Sequence, residues 1–244
     1  MQGLVIKTTG NSYGVLLPNG MTIDCYVKGN FRIRGIRSTN PVAVGDKVQI
    51  TKQTDGTNWI TEIDDRKNYI IRRATNLSKK SHIIAANVDL AVLIVTLRHP
   101  ETSTTFIDRF LATAEAYNVP AAIIFNKIDL LNSPEQEQLS QLNQLYNSLG
   151  YPTLNISANN LTAADKNKIT DLLGKINLFS GNSGVGKSTL LNAILGENIA
   201  KTGQISDIHD KGMHTTTFSE MYKLDDQRFI IDTPGIKGFG SVDM

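Results

Sequence analysis

The eight residues Gly181-Asn182-Ser183-Gly184-Val185-Gly186-Lys187-Ser188 constrain this chain more than any other stretch. They fit the pattern G-x-x-x-x-G-K-[ST], with the apolar run INLF before them and KSTLLNAI, which has helical spacing, after them. Such a loop has a physical use only between a strand and a helix. Its glycines let successive backbone N–H groups turn inward around phosphate oxygens, and the helix N-terminus adds a partial positive charge. Lys187 is expected to reach the β- and γ-phosphates and the Ser188 hydroxyl to ligate Mg²⁺, with Gly181 to Gly186 and Thr189 completing the cradle.

The rest of the second half reads as alternating strands and helices. DLAVLIVTL (89–97) and PAAIIF (120–125) are continuous apolar runs, as in strands buried on both faces. FIDRFLATAEAYNV has helical spacing, and SPEQEQLSQLNQLYNSLG opens on Ser133 as a cap with Pro134 at the first helical position and closes at Gly150. PTLNISA, TAADKNKITDLLG and INLF continue the pattern, and FSEMYKLDDQRFIID reads as an antiparallel strand pair. The expected fold is α/β: a mostly parallel sheet with helices on both faces.

Residues 1–72 differ. Five short runs rich in β-branched and aromatic residues alternate with turns, among them the hairpin signal Pro18-Asn19-Gly20. Five strands in so short a length suit a small closed barrel of the OB type. The expected organisation is a barrel over 1–72, a polar and basic linker over 73–88, and an α/β unit over 89–244.

A phosphate loop does not choose between ATP and GTP, but Asn126-Lys127-Ile128-Asp129 can. A carboxylate at Asp129 would accept from the N1–H and exocyclic amino group of guanine. Adenine offers no such donor pair, and a polar group left unmatched discriminates strongly. Lys127 would lay its aliphatic stem along the base, and Asn126 would tie this loop to the phosphate loop. Ser157-Ala158, after PTLNI, would close the base pocket with backbone N–H groups.

Asp232-Thr233-Pro234-Gly235 ends the last strand. Asp232 there would hold Mg²⁺ through water, and the Gly235 N–H would sense the γ-phosphate. Upstream, His214-Thr215-Thr216-Thr217 offers a hydroxyl to the metal from either Thr215 or Thr216, inside a polar, glycine-containing segment suited to ordering around a γ-phosphate. The position after Gly235 is Ile236, which cannot orient an attacking water. Slow intrinsic hydrolysis is therefore expected. His214 either supplies the missing polar group or is a solvent-exposed loop residue.

Composition narrows the setting. The net charge of +2 hides an asymmetry: residues 1–80 carry 13 Lys/Arg against 6 Asp/Glu, while 81–244 carry 12 against 17. A basic first third suits a polyanion partner, or simply solvated strands. One cysteine, Cys25, excludes an intrachain disulfide and a multi-Cys zinc site in this chain. No signal-peptide pattern or run of roughly 20 apolar residues is present, so a cytoplasmic location with no membrane partner is expected.

In order, the motifs read NKID, SA, GNSGVGKS, HTTT and DTPG, with the guanine reader ahead of the phosphate loop. This resembles the circularly permuted GTPases. With the preceding barrel, and with AANVDLAVLIVT, IDRFLATAE and DTPGIKGFG, the chain resembles the small ribosomal subunit biogenesis GTPases of the RsgA (YjeQ) family over nearly its whole length. The resemblance implies a monomeric GTPase acting late in 30S maturation. It also implies GTP/GDP and Mg²⁺ as ligands, stimulation by the small subunit, release on hydrolysis, and an OB-fold on ribosomal RNA. The family also continues into a zinc domain whose Cys and His ligands are absent from this chain. A nucleotide-gated RNA-binding module with incidental hydrolysis is the alternative, and NKID argues against an ATPase or kinase.

Overall fold

The computed structural model describes residues 1–9, 11–27, 41–73, 81–196 and 219–233. Strands β1 (Gln2–Thr8), β2 (Tyr13–Leu16), β3 (Thr22–Val27), β4 (Lys47–Lys52) and β5 (Asn58–Ile63) pair in the order β1-β2-β3-β5-β4. A further β1–β4 pairing closes the barrel, as the OB-type reading expected. Period-2 alternation sends Val5, Val15, Cys25, Val48, Ile50 and Ile60 into its interior. Burial, helped by the Asp24 charge, pushes the Cys25 thiol up to about 11, so it packs as a small apolar group. At Pro18-Asn19-Gly20 the chain reverses: the Gly20 N–H donates to Leu17 O at 2.9 Å, and the Leu17 N–H to Met21 O at 2.8 Å.

Two strands follow, β6 (Tyr69–Arg73) and β7 (Ser81–Ala86), paired antiparallel. The stretch expected as a polar linker thus carries a strand. Its apolar end explains this: Ala85 and Val88, with Ile70 on β6, are buried in the core of the second half. That half runs β8 (Leu90–Val95), α1 (Thr104–Ala116), β9 (Ala121–Phe125), α2 (Ser133–Ser148), β10 (Thr153–Asn155), α3 (Ala163–Leu172), β11 (Ile176–Gly181), α4 (Lys187–Leu195), β12 (Glu220–Lys223) and β13 (Phe229–Asp232). Strand order is β10-β9-β8-β11-β13-β12, parallel except for β12. Phe110 and Leu111 of α1 and Leu139 and Tyr146 of α2 pack on one face; Ile169 of α3 and Leu190 and Leu191 of α4 pack on the other. The cap of α2 is Asn132 rather than Ser133. Its side chain accepts from the Glu135 N–H and Glu135 accepts from the Asn132 N–H, both at 3.0 Å, a reciprocal box that needs Glu three residues after the cap.

The barrel is built into this second unit. On β1, Val5 faces the barrel interior while Leu4 and Ile6 pack against the core of the α/β half. The sheet runs on through a β1–β12 pairing, Lys7 opposite Glu220, whose side chains form an ion pair at 2.9 Å. Beside it, buried Asp46 pairs with Arg66 at 2.6 Å. Gly45, at φ +94°, lies so close to Ala86 that an added Cβ would sit 2.1 Å from its carbonyl oxygen. Gly45→Ala should therefore destabilise the fold by about 2–3 kcal/mol, lowering the melting temperature by roughly 5–10 °C. Unfolding scans check this, and an unchanged midpoint would mean the two units are not wedged there.

Candidate nucleotide site

Strand β8 lies between β9 and β11, with β10 outside β9 and β13 outside β11. The carboxyl ends of these parallel strands set several loops side by side: 126–129 after β9, 157–158 after β10 and 181–188 after β11, with Asp232 ending β13. In open α/β sheets this edge is where ligands bind.

Asn126 links three of these loops. It is buried; its Nδ2 donates to Val185 O at 2.8 Å, and its Oδ1 accepts from the Ala158 N–H at 2.9 Å. One amide side chain can do this because it carries both a donor and an acceptor. Gly186 runs directly over it at φ +90°, where an added Cβ would stand 2.4 Å from Asn126 Nδ2. Lys127 adopts a left-handed backbone (φ +60°), and its Nζ donates to Gly184 O at 2.7 Å and to His99 O. Its stem thus runs from the 126–129 loop towards the phosphate loop. Asp129 is exposed, and its carboxylate accepts from the Ser157 hydroxyl.

Helix α4 starts at Lys187 with Gly186 as its cap, and no side chain takes the cap hydrogen bond. The first-turn amides of Lys187, Ser188 and Thr189 therefore face the 181–186 loop, as an anion cradle requires. Lys187, only 8 % exposed, is ion-paired with Asp232. Burial raises the Asp232 carboxyl above its ordinary pKa; Lys187 opposes this, and Glu220 across the strand pair adds to it. Thr233 then pins the chain, its hydroxyl donating to Phe179 O at 3.0 Å. The Asp232 carboxylate and the Ser188 hydroxyl in the first turn of α4 are the kind of donors that fit Mg²⁺, which takes few protein oxygens and completes its shell with phosphate and water. His214, Thr215, Thr216 and Gly235 lie outside the described residues.

One neighbour of the site was not anticipated. The loop after β8 sits between the two motif-bearing strands β9 and β11, and its His99 carbonyl and Pro100 ring touch Lys127 and the Gly184 region. No motif marks it. The available signal was its position after a fully buried strand, whose exit loop must reach the same sheet edge.

Comparison with known proteins joins these observations. A family model described as RsgA GTPase matches residues 63–242, and one described as RsgA N-terminal domain matches residues 2–60. The chain belongs to the RsgA GTPase family. A protein of Phocaeicola vulgatus named small ribosomal subunit biogenesis GTPase RsgA is 62% identical over 244 residues, which is 100% of this chain and 78% of that protein. Among solved structures, YjeQ from Thermotoga maritima matches with a TM-score of 0.69 at 31% identity, over 96% of this chain and 74% of that one. YloQ, described as a circularly permuted GTPase, matches with a TM-score of 0.63 at 25% identity, over 98% and 72%. As an RsgA-family member the chain is a GTP hydrolase, binding GTP or GDP with Mg²⁺. The barrel ahead of a sheet whose guanine-type loop precedes its phosphate loop is the architecture the sequence led one to expect.

Proposed function

We propose that this RsgA-family chain hydrolyses GTP during late maturation of the small ribosomal subunit, with the barrel on ribosomal RNA and hydrolysis coupled to release. The observation that carries the reading is the meeting of loops 126–129, 157–158 and 181–188 and Asp232 at one sheet edge, held together by Asn126. In this reading Asp129 and the Ser157-Ala158 turn select guanine, and Lys127 covers its face. The amides of 181–189 and the Lys187 ammonium hold the phosphates. Bound Mg²⁺ would neutralise charge on the β- and γ-phosphates, held by Ser188, by Thr215 or Thr216, and by Asp232 through water. Gly235 would read the γ-phosphate, and His214 would stand in for the polar group that Ile236 lacks. Residues 1–72 form the RNA-binding unit and 89–244 the GTPase unit.

Two features support an RNA-facing barrel. The first 80 residues are strongly basic. Tyr26 on β3 and Trp59 on β5 stand opposite each other, ring centroids 6.1 Å apart, with Tyr26 40% exposed. An exposed tyrosine beside a half-buried tryptophan on a basic barrel suits stacking with unpaired bases. The relative's name supplies the subunit, and a cytoplasmic monomer belongs to the same reading. Among the described residues no helix is long and apolar enough to cross a membrane.

GTP turnover of full-length wild type and His214→Ala, measured with and without small ribosomal subunits, tests this. Wild type should be stimulated at least tenfold, and His214→Ala should lose most of the stimulation while still binding GDP. Absence of stimulation would favour the nucleotide-gated RNA-binding module; a fully active His214→Ala would remove His214 from the mechanism.

A further inference from the structure

The loop between β8 and α1 is rigid by its own bonds. The Thr102 N–H donates to Thr96 O at 2.9 Å, the Thr96 N–H to Thr102 Oγ1 at 3.2 Å, and the Thr96 hydroxyl to Pro100 O. Arg98 leaves this loop and reaches across the sheet edge. Its Nε donates to Glu135 Oε1 at 2.7 Å, and its second bond goes to Glu101 at 3.3 Å. Glu135 is the capping residue of α2, its other oxygen being taken by the Asn132 N–H. Helix α2 begins at Ser133, three residues after Leu130 ends the Asn126–Leu130 segment. Arg98 therefore bridges the two structures that flank the guanine-reading loop, the 96–102 turn on one side and the start of α2 on the other. Between them, the Lys127 ammonium is held by the carbonyls of His99 and Gly184.

We infer that Arg98 is a positioning residue for guanine recognition. By tying the 96–102 loop to Glu135 it fixes the His99 carbonyl that holds the Lys127 ammonium, and thereby the stem that lies on the base. This rests on the proposed roles of Lys127 and Asp129. Arg98 is 45% exposed and Glu135 14%, so the bridge is partly screened and its expected effect is modest. It acts on binding and not on the phosphoryl step: Arg98 itself bonds Glu135 and Glu101, and the loop it braces meets the phosphate loop at Gly184, not at Lys187 or Asp232.

The test is GDP affinity and GTP turnover for Arg98→Ala, Arg98→Lys and Glu135→Gln, the last chosen because Gln keeps the helix cap. Arg98→Ala should weaken GDP about three- to fivefold and raise KM for GTP equally, with kcat unchanged; Glu135→Gln should match it and Arg98→Lys fall between. In a Lys127→Ala background Arg98→Ala should cost nothing more, because the group it positions is gone. A silent Arg98→Ala, a fall in kcat, or losses that add to those of Lys127→Ala would overturn the inference. Competition of ADP against GDP on wild type is run alongside. If wild type does not prefer GDP, the functional reading itself falls; if it does and Arg98→Ala is silent, only the bridge falls.

Discussion

Asp129→Asn should weaken GDP by about 100-fold and move the preference of the site towards xanthine nucleotides. Guanine presents two donors side by side, and a carboxylate accepts from both. An amide keeps one acceptor and sets its NH₂ against the exocyclic amine of guanine, donor against donor. Xanthine has a carbonyl there and accepts from that NH₂. The substitution is nearly isosteric, and an amide oxygen can still accept from the Ser157 hydroxyl that now meets Asp129. Asp129 is exposed, so little stability should be lost with it. Competition of GDP, XDP and ADP against a labelled nucleotide measures the change. An unaltered guanine preference in the variant would remove Asp129 from the reading.

Lys187→Ala should reduce GTP turnover by about 1,000-fold and also change how stability depends on pH. The first effect is loss of the cation beside the β- and γ-phosphates. The second comes from Asp232, whose partner in the fold is Lys187. Burial already raises this carboxyl, and Lys187 is the group that opposes the rise. Without the lysine the folded-state pKa climbs further above the unfolded value. A raised acid binds more protons folded than unfolded. The cost is therefore absent below the unfolded-state carboxylate pKa and grows as pH rises through the folded one. At neutral pH it should reach about 2–3 kcal/mol, below the range for a fully buried broken pair because Asp232 is 20% exposed. Adding Asp232→Asn should restore stability at neutral pH without restoring turnover. Urea unfolding at acid and neutral pH decides; a variant equally stable at both would mean that the pair carries no such strain.

What the sequence made legible followed from short-range signals. Apolar runs such as LAVLIV and AAIIF marked strands covered on both faces, and the Gly-rich loop marked the strand–helix junction where α4 begins. Asn126, Lys127, Asp129, Ser157, Ala158 and the 181–188 loop could be named because each motif sits at the end of a recognisable strand. What stayed hidden depended on pairing across distance. The 73–88 stretch looked like polar linker because its basic start conceals Ala85 and Val88, which only the later sheet buries. Asn132 was passed over as a cap because Ser133-Pro134 carries the more familiar local pattern, while the deciding partner, Glu135, reads as an ordinary surface acid. The Arg98 loop has no motif; its closeness to Lys127 arises because β8, first of the parallel strands in the chain, lies third in the sheet.

Leu4 and Ile6 point away from the barrel that β1 helps to form and complete the core of its neighbour, while Val5 between them serves the barrel. A chain beginning after the barrel would open that flank of the sheet to water and leave β12 without its outer pairing strand. The barrel is therefore not a cassette that could be exchanged between GTPases. In this molecule the rearranged enzyme and its preceding module share a wall, and neither half owns it.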